Sequence, residues 1–277
     1  VTPPRLRDFA QVDVFSAEPL LGNPVAVVLD ADGLTDEEMA AFARWTNLSE
    51  TTFVLPPTTL EADYRLRIFT PGRELPFAGH PTLGSAHAWL EHGGQPAGEY
   101  LVQECAAGMI RLRFTETGLA FAAPPTLRSG ALEKADLAGI AESVGIGRKR
   151  FVAHQWVDNG PGWAAVQLPS AEEVLALELV SLPPVPFGVF GAYPAGSAHA
   201  YEVRVFAPGM GIVEDPVTGS FAAGLAQWLR REGAADAYSL SQGARVDRAG
   251  VIDVLVEGEE IWIGGASRTL IRGAVSL

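Results

Sequence analysis

Arg67-Ile-Phe-Thr-Pro-Gly72 recurs 137 residues downstream as Arg204-Val-Phe-Ala-Pro-Gly209 (67 to 204). The second copy then carries three extra residues, and the match resumes at an offset of 140 (78 to 218). There Ala78-Gly79-His80 aligns with Thr218-Gly219-Ser220, Gly84 with Gly224 and Ala86 with Ala226. Pro-Gly turns are common, but a shared hexapeptide followed by the same order of elements makes chance a poor account. The offset is close to half of the 277-residue chain and far longer than any solenoid period. It reads as a duplicated domain: strand, Pro-Gly turn, loop, then a buried helix of small residues that ends at glycines. Two like domains place two helix N-termini in comparable positions. Facing each other across a cleft, their free N–H groups would favour a carboxylate ligand.

Composition narrows the classes. The chain has 33 Asp and Glu against 20 Lys and Arg, a formal net charge of −13, with 48% apolar and 19% charged residues. Such a chain buries a core and is not intrinsically disordered. Its length suits two domains or one large one. The single cysteine, Cys105, excludes an intramolecular disulfide frame and reads as inert core in a strand. No apolar run is long enough for a membrane span. Val1–Asp8 lacks the apolar segment of a signal peptide, so a reduced, cytoplasmic setting is expected. The negative charge disfavours nucleic acid, and Arg148-Lys-Arg150 reads as a solvated turn.

Local signals place the elements. Asp8–Phe15, Val25–Leu29, Thr51–Leu55 and Tyr64–Phe69 read as strands, with a Gly- and Pro-rich loop over Ser16–Pro24. Thr35-Asp-Glu-Glu38 is a capping box opening a helix to about Trp45, with Asn47 as its stop. Pro81 suits a first helical position, and the helix it opens ends at Gly93-Gly94. Strands are expected over Glu99–Cys105, Met109–Phe114 and Ser197–Phe206, and three more over Ile252–Glu257, Glu260–Ile263 and Thr269–Leu277. Further helices are expected over Leu132–Val144, after a second capping box at Ser170-Ala-Glu-Glu173, and over Phe221–Arg231, while Ala122–Thr126 reads as a linker.

Four residues stand out chemically. Glu50 lies between a helix end and a strand, where a carboxylate is either a solvated surface group or a general base. His80 at a helix start can cap and pack, or bind an anion and move protons. Asp215 and Ser220 lie in Glu214-Asp-Pro-Val-Thr-Gly-Ser220, where a turn and a cap explain them without chemistry. The alternative is a carboxylate and a hydroxyl at the mouth of the second helix, with Glu214 a solvated neighbour. No metal site is expected: His87 and His92 fall on different helix faces, and His154 and His199 have no ligand-spaced partners. Ser220 is not in a Gly-x-Ser-x-Gly elbow. Gly145-Ile-Gly147 and Gly209-Met-Gly211 are weak as dinucleotide loops.

Longer stretches carry a resemblance. Val14-Phe-Ser-Ala-Glu-Pro-Leu-Leu-Gly-Asn-Pro24, Asn47-Leu-Ser-Glu-Thr-Thr-Phe53, Phe77-Ala-Gly-His-Pro-Thr-Leu-Gly-Ser-Ala86, Glu214–Ser220 and Ile263-Gly-Gly265 resemble, in order and spacing, the PhzF-like phenazine-biosynthesis family, relatives of diaminopimelate epimerase. The resemblance implies an α+β fold of two pseudo-symmetric domains, each a β-barrel-like sheet around a central helix. Residues 1–118 would form the first and 119–266 the second, with 267–277 returning to the first and the active site in the cleft between them. It also implies a homodimer.

The epimerase relatives carry cysteines where this chain has Ala78 and Thr218, so thiol-based racemisation is unavailable. The phenazine-pathway members isomerise trans-2,3-dihydro-3-hydroxyanthranilate, and their functional residues map onto Glu50, His80, Asp215 and Ser220. The implied mechanism uses no metal or cofactor. Glu50 would take a proton from an activated ring carbon and return one on the same face, its pKa raised by a dry cleft. His80, Asp215 and Ser220 would orient the substrate or relay protons. Gly79, Thr218 and Gly219 would help bind its carboxylate. Phe221, where the family more usually has a small residue, is expected to narrow the cleft. A non-thiol epimerase or racemase and a non-catalytic binding protein on the same scaffold are the alternatives.

Overall fold

The computed structural model describes residues 5–208 and 212–277. The Gly209-Met-Gly211 stretch, the last residue of the second hexapeptide and the start of the Val1–Asp8 segment lie outside them. The chain forms two compact units, one of the described residues up to Ala122 with Gly264–Leu277, the other of Ala123–Ile263.

The first unit runs β1 (Leu6–Val14), β2 (Asn23–Val28), α1 (Asp36–Thr46), β3 (Glu50–Leu55), β4 (Tyr64–Phe69), β5 (Glu74–Leu75), α2 (Gly79–Glu91), β6 (Leu101–Cys105), β7 (Gly108–Phe114) and β8 (Leu119–Ala122). The second runs β9 (Arg128–Gly130), α3 (Lys134–Ser143), β10 (Ala153–Asp158), β11 (Ala164–Gln167), α4 (Ala171–Ala176), β12 (Phe187–Ala192), β13 (Tyr201–Ala207), β14 (Ile212–Asp215), α5 (Gly219–Arg231), β15 (Ala237–Gln242), β16 (Gly250–Glu257) and β17 (Glu260–Gly265), whose end from Gly264 on belongs to the first unit. The last strand, β18 (Ser267–Ser276), pairs antiparallel with β1.

The fold is α+β with mixed sheet, and the pairing repeats. In the first unit β1 is antiparallel to β2, β2 parallel to β3, β3 antiparallel to β4, and β4 parallel to β6. In the second β10, β11, β12, β13 and β15 follow the same sequence of pairings. Parallel neighbours need a crossover. Here α1 and α4 supply the first crossover of each unit, and α2 and α5 the second.

The crossover helices α2 and α5 are the buried ones. In α2 every residue from Gly79 to Ala86 is buried, and the helix packs on β1, β2, β3, β4, β6, β8 and β18. In α5 every residue from Gly219 to Ala226 is buried, and the helix packs on β10 and β16. Glycine at the matching positions permits this approach. A Cβ on Gly84 would lie 2.4 Å from Val25 Cγ1, and one on Gly224 would lie 2.0 Å from the Val157 carbonyl oxygen.

The repeated arginines also do the same work. Arg67 grips Glu74 through two bonds of 2.7 and 2.6 Å, and Arg204 grips Glu214 through two of 2.9 and 2.8 Å. Glu214 is therefore no solvated neighbour of Asp215: its side chain is 11% exposed and holds a buried guanidinium. Each pair ties β4 to β5 or β13 to β14, the hairpin that leads into the buried helix.

The Thr35 capping box forms with both reciprocal bonds, and Asn47 ends α1 in a left-handed conformation (φ 54°). Other expectations change. Pro81 is the third residue of α2, not the first, because the helix starts at Gly79. Any of the first four N–H groups of a helix lacks an intrahelical partner, so proline loses nothing there. The second capping box is half formed: Ser170 accepts from the Glu173 N–H, but the Glu173 carboxylate pairs with Arg150. That helix stops at Ala176. Ala122 closes β8. Cys105 ends β6 half-buried, and burial pushes its thiol up. Among the described residues no helix is long and apolar enough to cross a membrane.

Glycine-to-alanine changes test the enclosed helices. In an exposed helix Ala is favoured over Gly by about 1 kcal/mol. Gly224→Ala is expected to reverse that sign and cost about 1–3 kcal/mol, read as a lowered midpoint in urea unfolding. An unchanged or raised midpoint would show that the α5–β10 contact has slack.

Candidate active site

Glu50 and His80 are brought together inside the first unit. The left-handed stop at Asn47 turns the chain out of α1 and into β3, whose first residue is Glu50. Side chains alternate along a strand, so Glu50 and Thr52 share a face. Thr52 Oγ1 meets Ser85 Oγ of α2 at 2.8 Å, and Glu50 Oε2 meets His80 Nε2 of the same helix at 3.4 Å. The rungs match: two strand residues rise about 6.6 Å and five helix residues about 7.5 Å. Both groups are buried, Glu50 at 7% exposure and His80 at 3%.

The other edge of the His80 ring faces β2. Its Nδ1 lies 3.3 Å from Asn23 Nδ2, and the ring also bonds to the Pro24 carbonyl. Burial pushes the imidazole down to about 3, against the smaller upward pull of the Pro24 bond. The ring is therefore neutral at pH 7 and carries one N–H. With that hydrogen on Nε2, the N–H faces the Glu50 carboxylate and Nδ1 accepts from Asn23, but the bond to the Pro24 carbonyl is given up. With the hydrogen on Nδ1, Nε2 offers a lone pair, and only a protonated Glu50 can bond to it. The tautomer of His80 therefore decides whether its Nε2 turns a hydrogen or a lone pair towards Glu50.

The second unit gathers Asp215 and Thr218 around Gln242. Thr218 Oγ1 donates to Asp215 Oδ2 at 2.6 Å. Gln242 of β15 accepts the Thr218 N–H at 3.0 Å and donates to the Asp215 carbonyl and to Thr218 Oγ1, both at 2.9 Å. All three residues are buried. Ser220 is no N-cap: it is the second residue of α5, and its Oγ accepts from Trp163 Nε1 at 3.0 Å.

Gly79 and Gly219 open α2 and α5, and neither helix has a side-chain cap or an acidic residue in its first turn. Ala78 has no hydroxyl, and Thr218 turns its own towards Asp215. Uncapped first-turn N–H groups favour an anion. Phe221 turns its ring into its own unit. Its ring is fully buried, edge-on to Trp163 at 6.1 Å, and Gly188 leaves room for it: a Cβ there would lie 2.2 Å from Phe221 Cζ. Among the described residues no group of three His, Cys, Asp or Glu side chains is arranged to hold a metal.

Sequence reasoning missed Asn23, Asn159, Trp163 and Gln242 as partners of the site. Asn23 lies within the quoted Gly22-Asn23-Pro24 stretch, and Asn159 is followed by Gly160 in a turn signal. Trp163 and Gln242 carry no local signal, because their partners are 57 and 24 residues away in sequence.

The buried imidazole has a consequence for acid stability. Its folded value lies below the unfolded value of 6.5, so the unfolded chain binds the proton first. Stability is therefore expected to fall as pH drops from about 6.5 towards 3, and His80→Gln to flatten that limb. The His80 Cε1–H resonance should stay flat between pH 8 and 4; a titration near 6.5 would contradict the assignment.

Similarity to known proteins agrees with this architecture. The family profile described as phenazine biosynthesis-like protein matches residues 12–275. The chain is 37% identical to "Antisense-enhancing sequence 1" of Schizosaccharomyces pombe, over 96% of this chain and 97% of that one. It is 34% identical to the trans-2,3-dihydro-3-hydroxyanthranilate isomerase of Pseudomonas fluorescens, over 98% and 100%. The crystal structure of a Bacillus anthracis phenazine biosynthesis protein of the PhzF family superposes with a TM-score of 0.81 at 23% identity, covering 99% and 100% of the two chains. With a family profile over residues 12–275 and relatives matched over nearly their whole length, the chain belongs to the phenazine biosynthesis-like PhzF family of isomerases.

Proposed function

We propose that the protein is a cofactor-independent isomerase that moves a proton on a small, unsaturated, carboxylate-bearing, amino-acid-like substrate of the trans-2,3-dihydro-3-hydroxyanthranilate class. The observation that carries this reading is the buried Glu50–His80 pair, 3.4 Å apart, with a neutral imidazole. A carboxylate in that position can take a proton from a ring carbon while the C–H electron pair enters the conjugated amino-acid system. The double bonds shift, and the same carboxyl returns a proton at the far carbon. Atoms and charge balance without an oxidant or a hydride acceptor.

The remaining residues position the substrate. Uncapped first-turn N–H groups, at Gly79-His80 in one unit and at Gly219-Ser220 in the other, each suit a substrate carboxylate, where developing negative charge is best stabilised. Asp215, tied by Thr218 and Gln242, offers a fixed carboxylate for the amino group, and Ser220 offers a hydroxyl. The 34% identity to a named isomerase over nearly the whole of both chains supports this substrate class. A homodimer and a cytoplasmic setting belong to the same reading through the family likeness.

In D₂O with trans-2,3-dihydro-3-hydroxyanthranilate, NMR should show deuterium incorporation with double-bond migration. Glu50→Gln is expected to lower turnover by about 10²–10⁴-fold with the fold intact by circular dichroism. Unchanged turnover in Glu50→Gln would remove the carboxylate from the mechanism. Deuterium at a stereocentre with inversion, and no double-bond shift, would instead identify an epimerase.

A further inference from the structure

Ser220 is held from two sides by one loop of its own unit. The chain leaves β10 at Asp158 and enters β11 at Ala164. Between them Asp158 Oδ1 accepts from the N–H groups of Gly160 at 2.8 Å and Gly162 at 2.6 Å, and the Val157 N–H bonds to the Trp163 carbonyl at 2.9 Å. Gly160 and Gly162 both take positive φ, at 139° and 91°, so the loop closes on itself in a shape that few other residues allow. It delivers two buried side chains to α5. Asn159 Nδ2 donates to the Ser220 carbonyl at 2.8 Å, and Trp163 Nε1 donates to Ser220 Oγ at 3.0 Å.

The second bond constrains the hydroxyl. An indole N–H can only donate, so Ser220 Oγ must accept from it, and the serine hydrogen points elsewhere. No other hydrogen bond to this hydroxyl is seen among the described residues, although Ser220 is only 4% exposed. From this geometry we infer that Trp163 is a positioning residue: it turns the Ser220 hydroxyl into a donor of set direction, ready for an acceptor oxygen of the substrate. The indole itself is locked, edge-on to the fully buried Phe221 ring at 6.1 Å and 3% exposed. This inference rests on the isomerase reading for its substrate but on the Trp163–Ser220 contact for its cause.

The test uses Trp163→Phe, Ser220→Ala and the double variant. Trp163→Phe keeps a ring and removes the donor. It is expected to raise KM for trans-2,3-dihydro-3-hydroxyanthranilate about tenfold with kcat nearly unchanged, and to add nothing in the Ser220→Ala background. A merely structural tryptophan would lower stability and activity equally in both backgrounds. An unchanged KM, or losses that multiply in the double variant, would overturn the inference. A ligand-free readout separates it from the substrate reading. The Trp163 indole N–H resonance should move in Ser220→Ala, and a resonance that stays in place overturns the inference whatever the turnover. A wild-type protein that does not turn over this substrate, but whose indole resonance does move, counts against the substrate alone.

Discussion

A helix enclosed by strands cannot carry large side chains around its whole girth. That constraint organises each unit of this protein. The backbone of α2 comes close enough to β1 and β2 that a methyl group at Gly84 would run into Val14 and Val25, and that of α5 meets β10 at Gly224. The runs of Gly, Ala, Ser and Thr in both helices follow from it. So does the placement of their first turns. Once the helix body is clamped, Gly79-His80 and Gly219-Ser220 have little freedom left.

The clamped first turns are unusual in being both buried and uncapped. A helix start normally recruits a Ser, Thr, Asp or Asn oxygen. Here Ala78 cannot cap, and Thr218 spends its hydroxyl on Asp215. The same enclosure strips water from His80 and keeps its ring neutral beside Glu50. Free N–H donors and a dry carboxylate–imidazole pair cost stability, as strained or desolvated functional groups commonly do. The burial of the helix bodies offsets that cost.

Much of the fold was legible locally. Thr35 and Glu38 announce the start of α1, Asn47 its end, and Tyr64–Phe69 alternates as β4 does. The elements that escaped reading share a cause. Phe187-Gly-Val-Phe-Gly-Ala192 shows no alternation, because β12 is covered on both faces from Phe187 to Gly191. Ala164–Gln167 is short and almost wholly buried. Glu173 looks like the far half of a capping box until Arg150 claims it, and Glu214 looks solvated until Arg204 does. In each case a partner distant in sequence overrode a local preference.

The amino-acid sequence by itself determined the duplication, the small-residue helices and the identities of Glu50, His80, Asp215 and Ser220 as candidates, because these depend on spacing and residue type. Only the tertiary structure decided what each group faces. Burial against β2 makes His80 neutral, the strand rung shared with Thr52 aims Glu50 at it, and Gln242 ties Thr218 to Asp215. The Phe221 ring turns inward over Gly188, and a loop closed by Asp158 brings Trp163 to Ser220. Proton affinity and hydrogen-bond direction depend on which dipoles and how much water surround a group, and only the packed chain sets those surroundings.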